Sequence, residues 1–463
     1  MRQTLLLAPL LLGACALAPI EPPATPATPA TWDLAAGAGE SAAESAAWAP
    51  VLDPTLRGLL DKAQEANTDI RRAALAFQSA QLQARQQGLR LQPSANFSYS
   101  ANRPLESQRA TVNVNGVLVP VSQDSGWSHG YSASVGAGFE LDLWNRLAQL
   151  DLQQLALSEA ARSDIAAARQ SIAGRVAESY WTLAANERLV QLASEKLRLA
   201  EEALPLVTAR VREGKLVPLE IPKAAAAVQT AQQQLSSNQA SAAKARLALA
   251  QLLDQPPPGP AVPAAALPSS VPQWAPDEPA RVLERRPDVH RARLEVDAAL
   301  AAARATRASR YPQLTFSADV GTGGSTLSHW FSQPLLSLAS GLSIPLIDWR
   351  RLDLQDAQSR NALEQSALHL RDQVFSALTE VQGLLIDQRR ITESRLAAEQ
   401  QQAQAREAAR IAGVQLEVGR IARADELQAR IAALDTEQAL IQAQLDAMLN
   451  RLALLRALAV PVS

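Results

Sequence analysis

Hydrophobic positions in this chain keep two different periods, and the switches between them divide it into elements. From Leu56 to about Arg90, the apolar residues Leu56, Leu59, Leu60, Ala63, Ala66, Ile70, Ala74 and Phe77 fall three and four apart, which predicts a helix. Pro93 ends it. Tyr131, Ala133, Val135, Ala137, Phe139, Leu141 and Leu143 then alternate with Ser132, Ser134, Gly136, Gly138, Glu140 and Asp142. Period two predicts a strand with one apolar and one polar face. Leu336, Leu338, Leu342, Ile344 and Leu346 alternate with Ser337, Gly341 and Ser343 in the same way. Residues 94–102 and 313–322 supply partner strands, one hairpin in each half, with 103–128 and 323–333 as the polar loops.

A very long helix follows each hairpin. Arg146 to Leu204 holds no proline and one glycine, Gly174. Ile165, Ile172, Val176, Tyr180 and Leu183 keep a coiled-coil-like seam. Carried to Arg212, the helix would span roughly 100 Å at about 1.5 Å per residue, with Pro205 bending it near its end. Residues 351–416 repeat the pattern without proline. Each long helix ends in a glycine turn, Glu213-Gly214-Lys215 or Val418-Gly419-Arg420, where glycine suits a left-handed cap. Shorter helices return over 223–253 and 421–458. The first return helix and the helix before the first hairpin together match one long helix in length, so the two could stack end to end beside it. Pro256-Pro257-Pro258-Gly259-Pro260 breaks the chain between the halves.

The halves are copies. Asp69-Ile70-Arg71-Arg72-Ala73-Ala74-Leu75 recurs as Asp288-Val289-His290-Arg291-Ala292-Arg293-Leu294, an offset of 219 (288 − 69). Trp144-Asn145-Arg146-Leu147 recurs as Trp349-Arg350-Arg351-Leu352, an offset of 205 (349 − 144), and Gly214 matches Gly419 at that same offset. The 14 positions lost (219 − 205) fall in the hairpin loop. The 463-residue length would suggest about three domains, but the repeat replaces that expectation with one unit built twice. The boundaries read as 1–14 signal peptide, 15–50 tether, 51–254 first repeat, 255–279 linker and 280–463 second repeat.

A net charge of −2 gives nucleic acid no electrostatic footprint. No apolar run reaches the roughly 20 residues of a membrane-spanning helix. Arg2 followed by Leu5–Leu12 has the short basic-then-apolar form of a secretory signal. The small residues before Cys15 resemble a bacterial lipobox, which would make Cys15 a lipidated first residue; the alternative is an incidental cysteine in an ordinary signal. Ala16 after it is compatible with sorting to the outer membrane. Cys15 is the sole cysteine, so the sequence offers no disulfide framework. Residues 18–31, rich in Pro, Ala and Thr, form a semi-extended tether.

No catalytic constellation is present. His129, His290, His329 and His369 lie in unrelated elements without partners at metal-ligand spacing, and Gly321-Thr322-Gly323-Gly324 is a hairpin tip rather than a phosphate loop. Arg285-Arg286 reads as a surface feature at a helix start. The two-faced strands instead point to a pore, with lipid against one face and water against the other. Hydrocarbon forbids open sheet edges, and four strands cannot close a barrel, so several copies must pool their strands.

Asn67-x-Asp69-Ile70, Glu140-Leu141-Asp142-Leu143-Trp144-Asn145-Arg146, Leu283-Glu284-Arg285-Arg286-Pro287-Asp288-Val289, Tyr311-Pro312-x-Leu314 and Ile344-Pro345-Leu346-Ile347-Asp348 carry a family likeness. Over about 50–460 the chain resembles the bacterial outer-membrane efflux proteins (TolC-like), and more closely their lipid-anchored NodT-type, OprM-like branch. The resemblance implies a mainly α fold with membrane β: a homotrimer with a 12-stranded β-barrel, four strands per chain, continued by a periplasmic α-helical barrel. It implies no enzyme activity and no cofactor beyond the covalent lipid on Cys15. It implies a periplasmic adaptor and an inner-membrane pump of the RND type as partners, in contact with outer-membrane lipid. Adaptor docking maps onto Gly214, Lys215, Val418, Gly419 and Arg420. The family's tunnel gate, a ring of acids six or nine positions after the second glycine, maps onto Asp425 and onto Gln428, which departs from the usual Asp. Glu220 is the repeat mate of Asp425. Both acids also suit the first turn of a helix without any gating role. A duct for type I polypeptide secretion and a lipid-anchored coiled coil that never crosses the membrane are the alternatives; the two alternating strand pairs argue against the second.

Overall fold

The computed structural model describes residues 20–24, 26–32, 47–103, 109–114, 116–122, 127–260, 262, 265–268, 278–331, 334–345 and 348–461. Cys15, its signal segment and residues 261, 263–264 and 269–277 of the linker lie outside them. Among the described residues, eight α-helices run α1 (Pro54–Ala66), α2 (Thr68–Gln87), α3 (Arg146–Arg212), α4 (Glu220–Leu252), α5 (Pro279–Arg285), α6 (Pro287–Ala308), α7 (Trp349–Glu417) and α8 (Arg423–Ala457). Six strands run β1 (Leu91–Asn102), β2 (Arg109–Val114), β3 (Val117–Ser122), β4 (Ser128–Leu141), β5 (Gln313–Gly324) and β6 (Leu335–Ser343).

The chain forms two compact units. One holds Ala80–Ser158, Glu295–Ser366 and the described part of Met1–Pro23; the other holds the described residues of Ala24–Ser79, Glu159–Leu294 and Ala367–Ser463. In the first, an antiparallel sheet has the order β1-β4-β5-β6, so the two expected hairpins join through the β4–β5 pair. The 103–128 segment, expected to be a polar loop, contains the separate ribbon β2–β3. The overlooked signal is Asn115-Gly116 between alternating Val112, Val114, Val117 and Val119, the pattern of a tight hairpin. Gly116 has φ 86°.

The long helices form as the proline-free runs require. α3 spans 67 residues and continues through Pro205; α7 spans 69. In the second unit the core gathers around α3, where Ile172, Val176, Tyr180 and Leu183 of the seam are buried with Leu56, Leu249, Met448 and Leu455. Polar tips in this core are anchored. Trp181 Nε1 donates to the Val51 carbonyl at 3.1 Å, and the Tyr180 hydroxyl donates to Asp53, whose other carboxylate oxygen caps α1 at the Leu56 amide.

The expected helix from Leu56 to about Arg90 is broken at Asn67. Its backbone is extended there (ψ 129°), and its buried side chain replaces the lost turn. Oδ1 accepts from the Asp69 amide at 2.9 Å and Nδ2 donates to the Leu252 carbonyl at 2.8 Å, meeting the last turn of α4. The end of the return helix thus meets the α1–α2 break through the Asn67 side chain. Arg286, offset from Asn67 by 219, stands at the α5–α6 break and donates through Nη1 to the Ala457 carbonyl at 2.8 Å. Leu252 and Ala457 differ by 205 (457 − 252), so the same terminal carbonyl is satisfied in each half. Arg286 is therefore not the surface feature expected. Its side chain is only 12% exposed and pairs with Asp288 at 2.7 Å and Glu380 at 2.8 Å, while Arg285 is exposed. Burial pushes the Asp288 carboxyl up, but the Arg286 guanidinium and the Val289 amide outweigh it and hold it below its usual range.

Asn67→Ala leaves a buried helix-end carbonyl unpaired and should cost about 1–3 kcal/mol. Arg286→Ala also strands Asp288 and Glu380 and should cost about 3–5 kcal/mol. Thermal unfolding in detergent orders the two; equal losses would deny the ion pairs a part. Because the folded Asp288 pKa is lowered, its contribution is complete above the unfolded value near 3.9 and is lost as pH falls through the folded one. The gap between wild type and Arg286→Ala should narrow over that acid range only.

Candidate functional site

The sheet has two chemically distinct faces. Strand registry puts Phe97, Tyr131, Val135, Phe139, Phe316, Val320, Leu336, Leu338 and Leu342 on one of them. These side chains are open to solvent in the isolated chain: Val135 is 66% exposed and Leu338 76%. The opposite face carries Ser94, Asn96, Ser98, Ser132, Ser134, Ser317 and Ser337, with glycines where neighbouring side chains lean across. An apolar face this large on a soluble protein would be an aggregation surface. The paired stretch 131–141 matches the roughly 9–11 residues of a tilted membrane strand.

Aromatic residues gather at both ends of the apolar face. At the loop end, Tyr99 lies 4.9 Å from Tyr131 and Phe97 meets Trp330 edge-on at 5.4 Å. At the other end Trp144 stacks on Tyr311 at 4.7 Å and donates to the Pro312 carbonyl at 2.8 Å. Such paired bands mark the two interfaces of a membrane barrel. The Glu140–Arg146 motif is the hinge from strand to helix. Asp142 accepts from the Leu147 and Ala148 amides at 3.1 and 2.8 Å, capping α3; Asn145 takes the left-handed conformation (φ 57°); Arg146 binds both Glu140 carboxylate oxygens at 2.7 Å.

In the helical unit the two glycine turns share one geometry. The Gly214 amide bonds the Val211 carbonyl at 3.0 Å and the Lys215 amide the Arg210 carbonyl at 2.9 Å. The Gly419 amide bonds Leu416 at 3.0 Å and the Arg420 amide Gln415 at 2.8 Å. This is the Schellman pattern, with φ 70° and 72° at the glycines. Val217, Leu219 and Val418 stand exposed beside them, and Lys215 pairs with Glu213 at 2.8 Å.

Each acid expected at the gate lies in the first turn of a return helix. Asp425 accepts from the Ala422 amide at 3.2 Å and from Arg210 at 3.2 and 3.3 Å, remaining half exposed. Glu220 accepts from Lys223 at 2.8 Å. Gln428 is exposed one turn beyond Asp425. Sequence reasoning missed Arg210. Its repeat mate is Gln415 (210 + 205), so the pair with Asp425 exists once per chain. It also missed a ladder from α3 to α8: Glu202 to Arg423 at 2.8 Å, Glu195 to Arg430 at 3.5 Å and Arg188 to Glu437 at 2.7 Å. Seven-residue spacing along both helices, 188/195/202 and 423/430/437, was the available signal.

Comparison with known proteins agrees with this geometry. The sequence model of the family described as outer membrane efflux protein matches residues 59–255 and 279–460. The pyoverdine export outer membrane protein OpmQ of Pseudomonas putida is 28% identical over 409 residues, covering 86% of this chain and 82% of that protein. Outer membrane protein OprJ of Pseudomonas aeruginosa is 28% identical, covering 77% and 75%. The solved structure of the outer-membrane channel OprN superposes with a TM-score of 0.79 at 22% identity, over 96% of this chain and 99% of that one, which establishes a shared fold.

At both glycines an added Cβ would meet nothing within 4 Å, so only the backbone conformation resists substitution. Gly214→Ala and Gly419→Ala should each cost about 1–2 kcal/mol. Hydrogen exchange at the Lys215 and Arg420 amides should quicken accordingly, and unchanged exchange there would deny the left-handed strain.

Proposed function

The chain belongs to the outer membrane efflux protein family, and on that premise we propose that it is the outer-membrane duct of a tripartite efflux system. It conducts small molecules passively, and the energy comes from an inner-membrane pump reached through a periplasmic adaptor. The family is one of channels rather than enzymes. The observation that carries the reading is the two-faced sheet with free edges at β1 and β6. Three copies, each giving four strands, close a 12-stranded barrel and leave no edge in hydrocarbon. Each chain contributes one structural unit twice, and the equal capping of α4 and α8 supports that duplication.

Three copies of Asp425 ring the tip of the tunnel in this reading, each held by Arg210 of its own chain. Gln428 supplies no second acidic ring, and Glu220 serves its helix through Lys223. The apolar Val217, Leu219 and Val418 beside Gly214 and Gly419, with Lys215 and Arg420, form the adaptor surface. Cys15 carries the lipid that anchors the mature chain to the outer membrane.

The purified full-length protein should run as a heat-modifiable trimer and conduct ions in planar bilayers. A folded, silent monomer would refute the pore. Asp425→Ala should raise single-channel conductance, and unchanged currents would remove that residue from the gate. Cys15→Ser should abolish incorporation of labelled palmitate; retained label would refute the lipid anchor.

A further inference from the structure

The four strands of the sheet carry two acidic residues, Glu140 and Asp319, and no arginine or lysine. Glu140 stands at the end of β4, and the bidentate grip of Arg146 neutralises it. Asp319 lies in the middle of β5, paired in register with Gly136 on one side and Ser337 on the other. Gly136 is the central residue of the paired 131–141 stretch, so Asp319 lies halfway along the apolar band. Among the described residues no arginine or lysine contacts it. Its side chain lies over Gly136: a Cβ there would meet Asp319 Oδ1 at 1.8 Å. The missing side chain at Gly136 is what gives the carboxylate its place on the polar face.

A carboxylate at mid-depth is tolerated only where it meets water. Registry gives it that side, among Ser134, Ser317 and Ser337. We propose that Asp319 is the charge filter of the barrel: three copies facing the lumen form a ring of fixed negative charge that favours cations and cationic cargo over anions. The inference rests on the trimeric pore proposed above. It concerns the barrel, in a different unit from Asp425. Small neighbours leave the ring unshielded by other side chains, so bulk salt is its main screen. The Debye length is about 10 Å at 0.1 M and about 3 Å at 1 M, so the preference should fade as salt rises.

The test is the reversal potential of the full-length protein in planar bilayers under a KCl gradient. It is measured for wild type, Asp319→Asn and Asp319→Lys, each also in the Asp425→Ala background so that Asp425 adds no charge at the tip. Wild type should prefer potassium. Asp319→Asn, which keeps the shape and removes the charge, should move the reversal potential toward zero. Asp319→Lys should reverse its sign, and all differences should shrink at 1 M salt. Conducting Asp319→Asn channels with the wild-type reversal potential would overturn the filter while leaving the pore intact. Absence of conductance in every variant, wild type included, would overturn the pore itself.

Discussion

A β-strand in hydrocarbon must have a partner on both sides. Each unpaired backbone N–H or C=O there costs several kcal/mol, and no side chain can supply the whole row. In this chain the sheet order β1-β4-β5-β6 leaves the outer edges of β1 and β6 unmatched. The rest of the sheet unit fits strands set in hydrocarbon on one face. Alternation is kept over all four strands, acids are absent from the apolar face, and aromatic clusters stand at its two ends. A one-residue slip of any strand would turn its leucines and phenylalanines into the lumen and its serines into lipid. The glycines of the polar face help fix that register, since Gly130, Gly136 and Gly341 each leave room for the neighbouring Ser100, Asp319 or Thr315 side chain.

Periodicity made the large elements legible. α3 begins at Arg146 and ends at Arg212 just before the Gly214 turn, continuing through Pro205, and the β4 alternation separates the apolar from the polar face. What periodicity cannot see is a break made by one buried polar side chain. Asn67 interrupts an otherwise helical pattern because its amide is worth more to the Leu252 carbonyl and the Asp69 amide, 185 and two residues away, than a continued turn. Arg286 performs the same task with a guanidinium, although the Arg285-Arg286 pair read from the sequence as a surface feature at a helix start. Its burial is bearable because two carboxylates and a carbonyl take up its donors. The β2–β3 ribbon was legible and passed over: Asn-Gly between alternating valines outweighs the polar composition around it.

The fixed offset of 205 between the halves has a mechanical meaning at the glycine turns. The constant register brings Gly214 and Gly419 to the same point of two matching caps, down to the Lys215–Arg210 and Arg420–Gln415 bonds. The caps differ only where charge is concerned. Arg210 faces Asp425 across the halves, whereas its mate Gln415 has no such acid, and Glu220 turns to Lys223 within its own helix. The ladder from α3 to α8 likewise joins one half to the other through Glu202–Arg423, Glu195–Arg430 and Arg188–Glu437. Most of these side chains are a third or more exposed, so each pair contributes about 0.2–1 kcal/mol at most. Several weak, salt-sensitive links, rather than one strong buried pair, therefore join the two halves here.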